Sequence, residues 1–383
     1  MHSSLSGTAA ATALAAALAL ACSDAPSPTS ESPASSEAAR AGGAPKITSQ
    51  RSGTVNRLQA VSPVSPHVVW ASGVGGTYTV TTDGGRTWRA GVVPGAELLQ
   101  FRDVEGVSAK VAYLLSAGVG EESRIYKTTD GGDTWQLQFK NRDPSGFYDC
   151  FAFWSEDRGV VMSDAVDGRF PVRRTENGRF WKDIGDRLPP AQAGEAAFAA
   201  SGTCVATQGE QRAWIATGAA PEARILATTD GGDSWRSYGT PIVQGTPASG
   251  IFTVAFRDES HGILAGGDLE APDRRSKNVA VSSDGGKTWT LAARTPFPGA
   301  AYGLSYVPSR NPGPLNKTVV ITGPGGAAWS PDEGETWHRI REVRDFWAVG
   351  FANRHHGWLV GTEGRILKVN FPRPDGTADV SGF

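Results

Sequence analysis

The chain has 383 residues, the length of one large or two modest domains. Its formal net charge is only −2, which excludes the global basic field of a nucleic-acid binder. Gly is very frequent (48), Trp frequent (12) and Met scarce (2), and helix-forming runs are few, a balance that points to an all-β protein rich in turns.

The chain opens with MHSSLSGTAAATALAAALALAC, residues 1–22. Its apolar stretch from Ala9 to Ala21 is too short and too Ala-rich for a membrane span and fits the h-region of a secretion signal. No other long apolar run follows, so a membrane is expected to be reached only through this end. The closing LALAC resembles a bacterial lipobox, in which Cys22 would be lipidated and become the new N-terminus; cleavage after one of the alanines, without lipid, is the alternative. Residues 23–45, SDAPSPTSESPASSEAARAGGAP, have no aromatic residue and too little apolar surface to offset their ordering entropy. They are expected to be a disordered tether.

From residue 46 to residue 371 the chain repeats itself, and residues 372–383 form a tail. The turn TTDGGDTW (128–135) recurs as TTDGGRTW (81–88), TTDGGDSW (228–235), SSDGGKTW (282–289) and SPDEGETW (330–337). It returns in altered form as RTENGRFW (174–181), where Glu176 aligns with the Asp and Phe180 with the Ser or Thr. The marked acids are Asp83, Asp130, Glu176, Asp230, Asp284 and Asp332, and the marked tryptophans are Trp88, Trp135, Trp181, Trp235, Trp289 and Trp337. Upstream of each box stand an apolar strand, a polar turn ending in Gly, and a second strand, as in GIFTVAFRDESHGILAGGD (250–268). Each unit therefore reads as four short antiparallel strands. Such a sheet cannot bury both faces alone, but blades set side by side around an axis can. Inner strands near residues 57, 99, 148, 196, 251, 302 and 346 give seven blades. The last unit lacks a box, so its outer strand is expected from the N-terminal PKITSQRSG, which closes a seven-bladed β-propeller.

The box has a local account. Its Asp can accept backbone N–H groups across the turn, its Gly residues permit positive φ, and its Trp packs between sheets. Nothing in this requires a ligand. The boxes join third to fourth strands and so lie on one face; a site is expected on the other, built from the loops between second and third strands and the links entering each inner strand. That face is uneven in units three to five. SDAVDGRF carries Asp164, Asp167 and Arg169; SGFYD supplies Tyr148 and Asp149; AGEAAF supplies Glu195; and GGDLEAPDRRSKN carries Asp268 and Arg274. Convergent acids and bases from three adjacent blades form a candidate binding patch. Cys150 and Cys204 fall at different heights on neighbouring strands in this alignment, which favours two buried thiols, although an exported protein can form a disulfide. No His, Cys and carboxylate group has metal-ligand spacing, and no metal or cofactor is expected.

The pattern S/T-x-D-x-G-x-T-W resembles the Asp-box, or BNR repeat, of sialidase-type propellers. With the F-x-D-x-x-x-G-W phrasing, the chain from about residue 46 to 371 is similar to the photosystem II stability/assembly factor family (Ycf48-like) and its relatives in non-photosynthetic bacteria. The resemblance implies a monomeric exported module that binds an envelope protein partner. A glycoside hydrolase or polysaccharide lyase acting on a small carbohydrate is the other reading. Against it, the R-I-P motif of sialidases is replaced by SGTVNRLQAVSP, and xyloglucanase relatives divide their catalytic pair between two propellers where this chain has one. Tyr148, Glu195, Asp164 and Arg169 are the residues such chemistry would draw on.

Overall fold

The computed structural model describes residues 43–308 and 317–372. The expected signal with Cys22, the tether to residue 42 and the tail from residue 373 lie outside them. The described residues form seven four-stranded antiparallel sheets arranged as the blades of a propeller. The inner strands are Leu58–Pro63, Phe101–Gly106, Tyr148–Phe153, Val205–Gln208, Ser249–Phe256, Gly303–Tyr306 and Phe346–Asn353. Second strands such as Ala112–Ser116 and Val319–Gly323 are buried along their whole length. A strand covered on both faces reads as a continuous apolar run, which is how these appear in the sequence.

Ring closure follows the expected scheme. Lys46–Arg51 pairs antiparallel with Arg365–Asn370 and completes blade seven. Gln50 fixes the seam: its Oε1 accepts from Trp358 Nε1 of blade seven at 3.1 Å and from Trp88 Nε1 of blade one at 3.2 Å.

The boxes fasten blades to one another. In the second box Asp130 Oδ1 accepts Thr134 N (2.9 Å) and Oδ2 accepts the Thr134 hydroxyl (2.5 Å), while Thr128 Oγ1 accepts Gly132 N (2.9 Å). Bonding from the Thr134 hydroxyl and N–H pulls the Asp130 carboxyl down to about 2. Gly131 and Gly132 take φ of 86° and 94°, where only Gly sits without strain. The turn then presents carbonyls to the preceding blade. Tyr78 OH donates to Gly132 O at 2.6 Å, and Trp214 Nε1 donates to Gly285 O at 2.8 Å. Trp135 packs edge-on against Tyr78, centroids 5.0 Å apart.

Three expectations are corrected. In the third box the acceptor is Asn177, not Glu176: Asn177 Oδ1 accepts the N–H groups of Arg179 (3.0 Å) and Phe180 (3.1 Å). This turn is one residue shorter, with its hydroxyl residue at Thr175, so the acceptor moves on by one while Glu176 turns outward to ion-pair with Arg158 and Arg174. The fourth inner strand begins at Val205 rather than near residue 196; residues 196–204 form an irregular link tied down by Ala196 and Gly218. Shifting that strand places Cys204 beside Cys150, Cα atoms 5.8 Å apart, and the two form a disulfide instead of separate thiols.

Candidate functional site

Five of the seven inner strands carry an extra residue near their start. Register passes from Leu58 to Ala60, Phe101 to Asp103, Tyr148 to Cys150, Ile251 to Thr253 and Phe346 to Ala348 while the partner strand advances by one residue. A bulge of this kind re-aims one side chain. The residues so placed are Gln59, Arg102, Asp149, Phe252 and Trp347. Tyr302 takes the matching place just before the sixth inner strand, and Phe198 comes from the irregular link into the fourth. With Arg57 and Leu269, all of these except Asp149 line a cavity of about 210 Å³ at the end of the channel where the inner strands begin. That end is the face opposite the boxes.

The mouth is divided in character. On one side an arc of rings runs Phe198, Phe252, Tyr302, Trp347, with successive centroids 4.1, 5.8 and 5.6 Å apart. On the other side stand two guanidiniums. Arg57 lies over the Trp347 ring at 5.0 Å. Arg102 donates to Gln100 Oε1 (2.8 and 3.2 Å) and to Ala199 O (3.4 Å). Burial, and the repulsion of Arg57, weaken the hold of Arg102 on its proton. Neither arginine forms an ion pair among the described residues.

Asp149 sits behind Arg102, buried beside the half-buried Asp164, and its Oδ2 has no hydrogen-bond partner among the described residues. Burial, then the neighbouring Asp164, pushes Asp149 well above the carboxylate range; burial raises Asp164 to about 6, although its Oδ1 accepts Ala197 N at 2.9 Å. Neighbouring carboxyls withdrawn from water favour keeping a proton. Because folding raises both values, the folded chain keeps protons that the unfolded chain loses from about pH 4 upward. Stability from this pair is therefore full below the ordinary Asp value and is lost as pH rises through about 6 and beyond. Asp149→Asn should be more stable than wild type at pH 8 by roughly 1 kcal/mol or more and show no gain at pH 4. Urea titrations at both pH values decide it, and parallel shifts would exclude a retained proton.

The other residues of the sequence-derived patch do not converge with this pair. Tyr148, Asp167 and Arg169 line a separate cavity of about 300 Å³ between blades two and three. There Arg173 Nε donates to Tyr148 OH at 2.7 Å, and Arg169 is held by Asp183 and Asp186, each at 2.6 Å. Asp167 occupies a turn tip at a φ of 51°. Glu195 is no mouth residue: its side chain is wholly buried, accepting from Arg224 Nη2 (2.6 Å) and Nε (2.8 Å), Thr217 Oγ1 (2.6 Å) and Gln192 N (2.8 Å). Asp268 accepts Glu270 N within its own loop, which also holds Arg274. The acid/base set of Tyr148, Asp164, Arg169 and Glu195 expected from the sequence is thus dispersed, with Tyr148 and Arg169 in a separate cavity and Glu195 in a buried ion pair.

Further along the channel, Asp103 accepts Val104 N (2.7 Å) and Phe151 N (2.8 Å), and burial lifts Glu105 to about 7. Both line a polar cavity of about 350 Å³.

No family model matches the chain. In sequence it is similar to a sialidase of Bacteroides fragilis, 25% identical over 300 residues, covering 67% of this chain and 49% of that protein. It is also similar to the photosystem II assembly lipoprotein Ycf48 of Trichormus variabilis, 26% identical over 291 residues, covering 65% of this chain and 78% of that protein. The chain thus spans about half the length of the sialidase. Among solved structures, YCF48 bound to D1 peptide superposes with a TM-score of 0.58 at 15% identity, covering 85% of this chain and 96% of that one. YCF48 from Cyanidioschyzon merolae gives 0.58 at 17% identity, covering 86% and 99%. The GH74 xyloglucanase from Xanthomonas campestris gives 0.55 at 13% identity, covering 88% and 54%. The chain is a seven-bladed Asp-box propeller that resembles the Ycf48 proteins.

Proposed function

We propose that this chain is an exported assembly or stability factor that receives a protein partner on the face opposite the boxes. The observation that carries the reading is where large apolar side chains meet solvent. Seven do so among the described residues, and five of them, Val55, Val92, Leu98, Val119 and Leu269, lie on or beside the loops of that one face. Leu98 is 96% and Val55 84% exposed, and their two links run side by side past Gly75. A face that gathers most of the exposed large apolar side chains among the described residues fits an interaction surface. The D1 peptide held by the solved YCF48 supports the reading by likeness.

The name lipoprotein carried by the Ycf48 relatives, together with LALAC, supports a chain lipidated at Cys22 and held in the periplasm or on the outer envelope face, with residues 23–45 as the tether. No helix among the described residues is long and apolar enough to cross a membrane.

The test is crosslinked capture from envelope fractions with tagged full-length protein. Wild type and Phe180→Asp, altered on the box face, should retain the same partner. A Leu98→Asp/Val119→Asp variant should retain less than about a tenth of it. Equal capture by all three proteins rejects the assignment of the face.

A further inference from the structure

We propose that the channel mouth is a binding site for a small aromatic carboxylate, its anionic group held between Arg57 and Arg102 and its ring against Phe252 and Tyr302. The inference goes beyond partner docking, because this chain supplies every wall of the cavity.

Charge is the first argument. Two partly buried guanidiniums close enough to repel each other have no counter-ion among the described residues. Asp149 is the acid that attracts Arg102, but it forms no ion pair with it, and one carboxylate leaves one of the two guanidiniums unmet. Desolvated charge of one sign is costly until an opposite charge arrives. Unmet polar atoms are the second argument. Gln59 is only 2% exposed, and its Oε1 has no hydrogen-bond partner; Arg57 Nε has none either. Buried polar atoms in folded proteins are nearly always paired, so these two atoms offer bonding capacity to whatever enters the mouth.

Shape sets the body of the ligand. Arg57 spends its flat face on Trp347 and keeps its N–H edge, the geometry that grips a carboxylate. The arc of rings opposite favours a flat apolar partner in offset or edge contact. About 210 Å³ is below the range of drug-sized sites, which suits one six-membered ring with its carboxylate and not an oligosaccharide or a nucleotide.

The test is isothermal titration of the purified protein with benzoate and phenylacetate, against benzyl alcohol and acetate. Benzoate is expected to bind one to one and at least about tenfold tighter than either control. Arg57→Gln and Arg102→Gln should each weaken it by about tenfold or more, and each variant's fold is checked by its melting temperature. Arg57 makes only the ring contact in the free protein, so its variant keeps the test usable if Arg102→Gln misfolds. Benzoate no tighter than benzyl alcohol, or unaffected by folded Arg57→Gln, overturns the proposal. The Leu98→Asp/Val119→Asp variant should bind benzoate normally, so the ligand and docking readings fail independently.

Discussion

Removing the bond between Cys150 and Cys204 should lower stability by about 4 kcal/mol, the chain-entropy value for a closed loop of 54 residues. In a protein of this size that is a fall in melting temperature of roughly 5–10 °C. The place of the bond gives the number its meaning. Blade four is entered through an irregular link, and its inner strand, Val205–Gln208, is only four residues long. Cys204 pins the start of that strand to the strand before it, and Cys204 N also points at Cys150 Sγ. Loosening should therefore be local first, at Phe198 and the fourth segment of the mouth. The measurement compares wild type with and without dithiothreitol against a Cys150→Ala/Cys204→Ala variant. Reduced wild type should melt with the variant, and the variant should ignore the reductant. Identical melting of oxidised wild type and variant would remove the bond from the account.

Glu195→Ala should cost about 3–5 kcal/mol, because it leaves the largely buried Arg224 guanidinium without its counter-charge. The remaining partner of Arg224, the Pro190 carbonyl at 2.7 Å, accepts a hydrogen bond and carries no full charge. Two other groups, Thr217 Oγ1 and Gln192 N, donate to the same carboxylate and lose that acceptor as well. Replacing both ends together, Glu195→Leu with Arg224→Leu, should recover most of the stability, since a well-packed apolar pair can stand in for a buried ion pair. Denaturant titrations of Glu195→Leu, Arg224→Leu and the double variant form the cycle. Additive single losses, or a Glu195→Ala loss under about 1 kcal/mol, would contradict a pillar role.

The fold was legible because its signals are local and repeated. Asp83, Asp130, Asp230, Asp284 and Asp332 lie in boxes with the same spacing to Trp, and the missing seventh box called for the N-terminal strand. Errors arose where the repeat changes length. One residue lost before Trp181 moved the acceptor from Glu176 to Asn177, and about nine residues added before Val205 displaced the fourth strand and with it the pairing of Cys204. The mouth was largely missed for a different reason. The charged loop residues stand out in sequence, yet Arg169 and Asp268 bond within their own surroundings and Asp167 occupies a turn tip. The positions that face the channel follow the first apolar residue of an inner strand: Gln59 after Leu58, Arg102 after Phe101, Asp149 after Tyr148, Phe252 after Ile251, Trp347 after Phe346. Reading that single column down the repeats shows a glutamine, an arginine, an acid and two aromatics. Only Asp149 was picked out, and for the wrong surroundings.

The seam at Gln50 has a consequence for how the molecule comes into being. Lys46 and Asn370 are partners, so the contact that shuts the ring joins positions more than 300 residues apart. Loop-closure entropy makes such a contact late, after the local hairpins of each blade. Until the last strand has been made, Leu58, Val69 and Trp88 of blade one lack the Trp358 and Ile366 against which they pack. A growing chain is therefore an open arc with one sticky end until its last strand meets its first. The finished disc carries no trace of this order except one glutamine whose carbonyl holds two tryptophans from opposite ends of the synthesis.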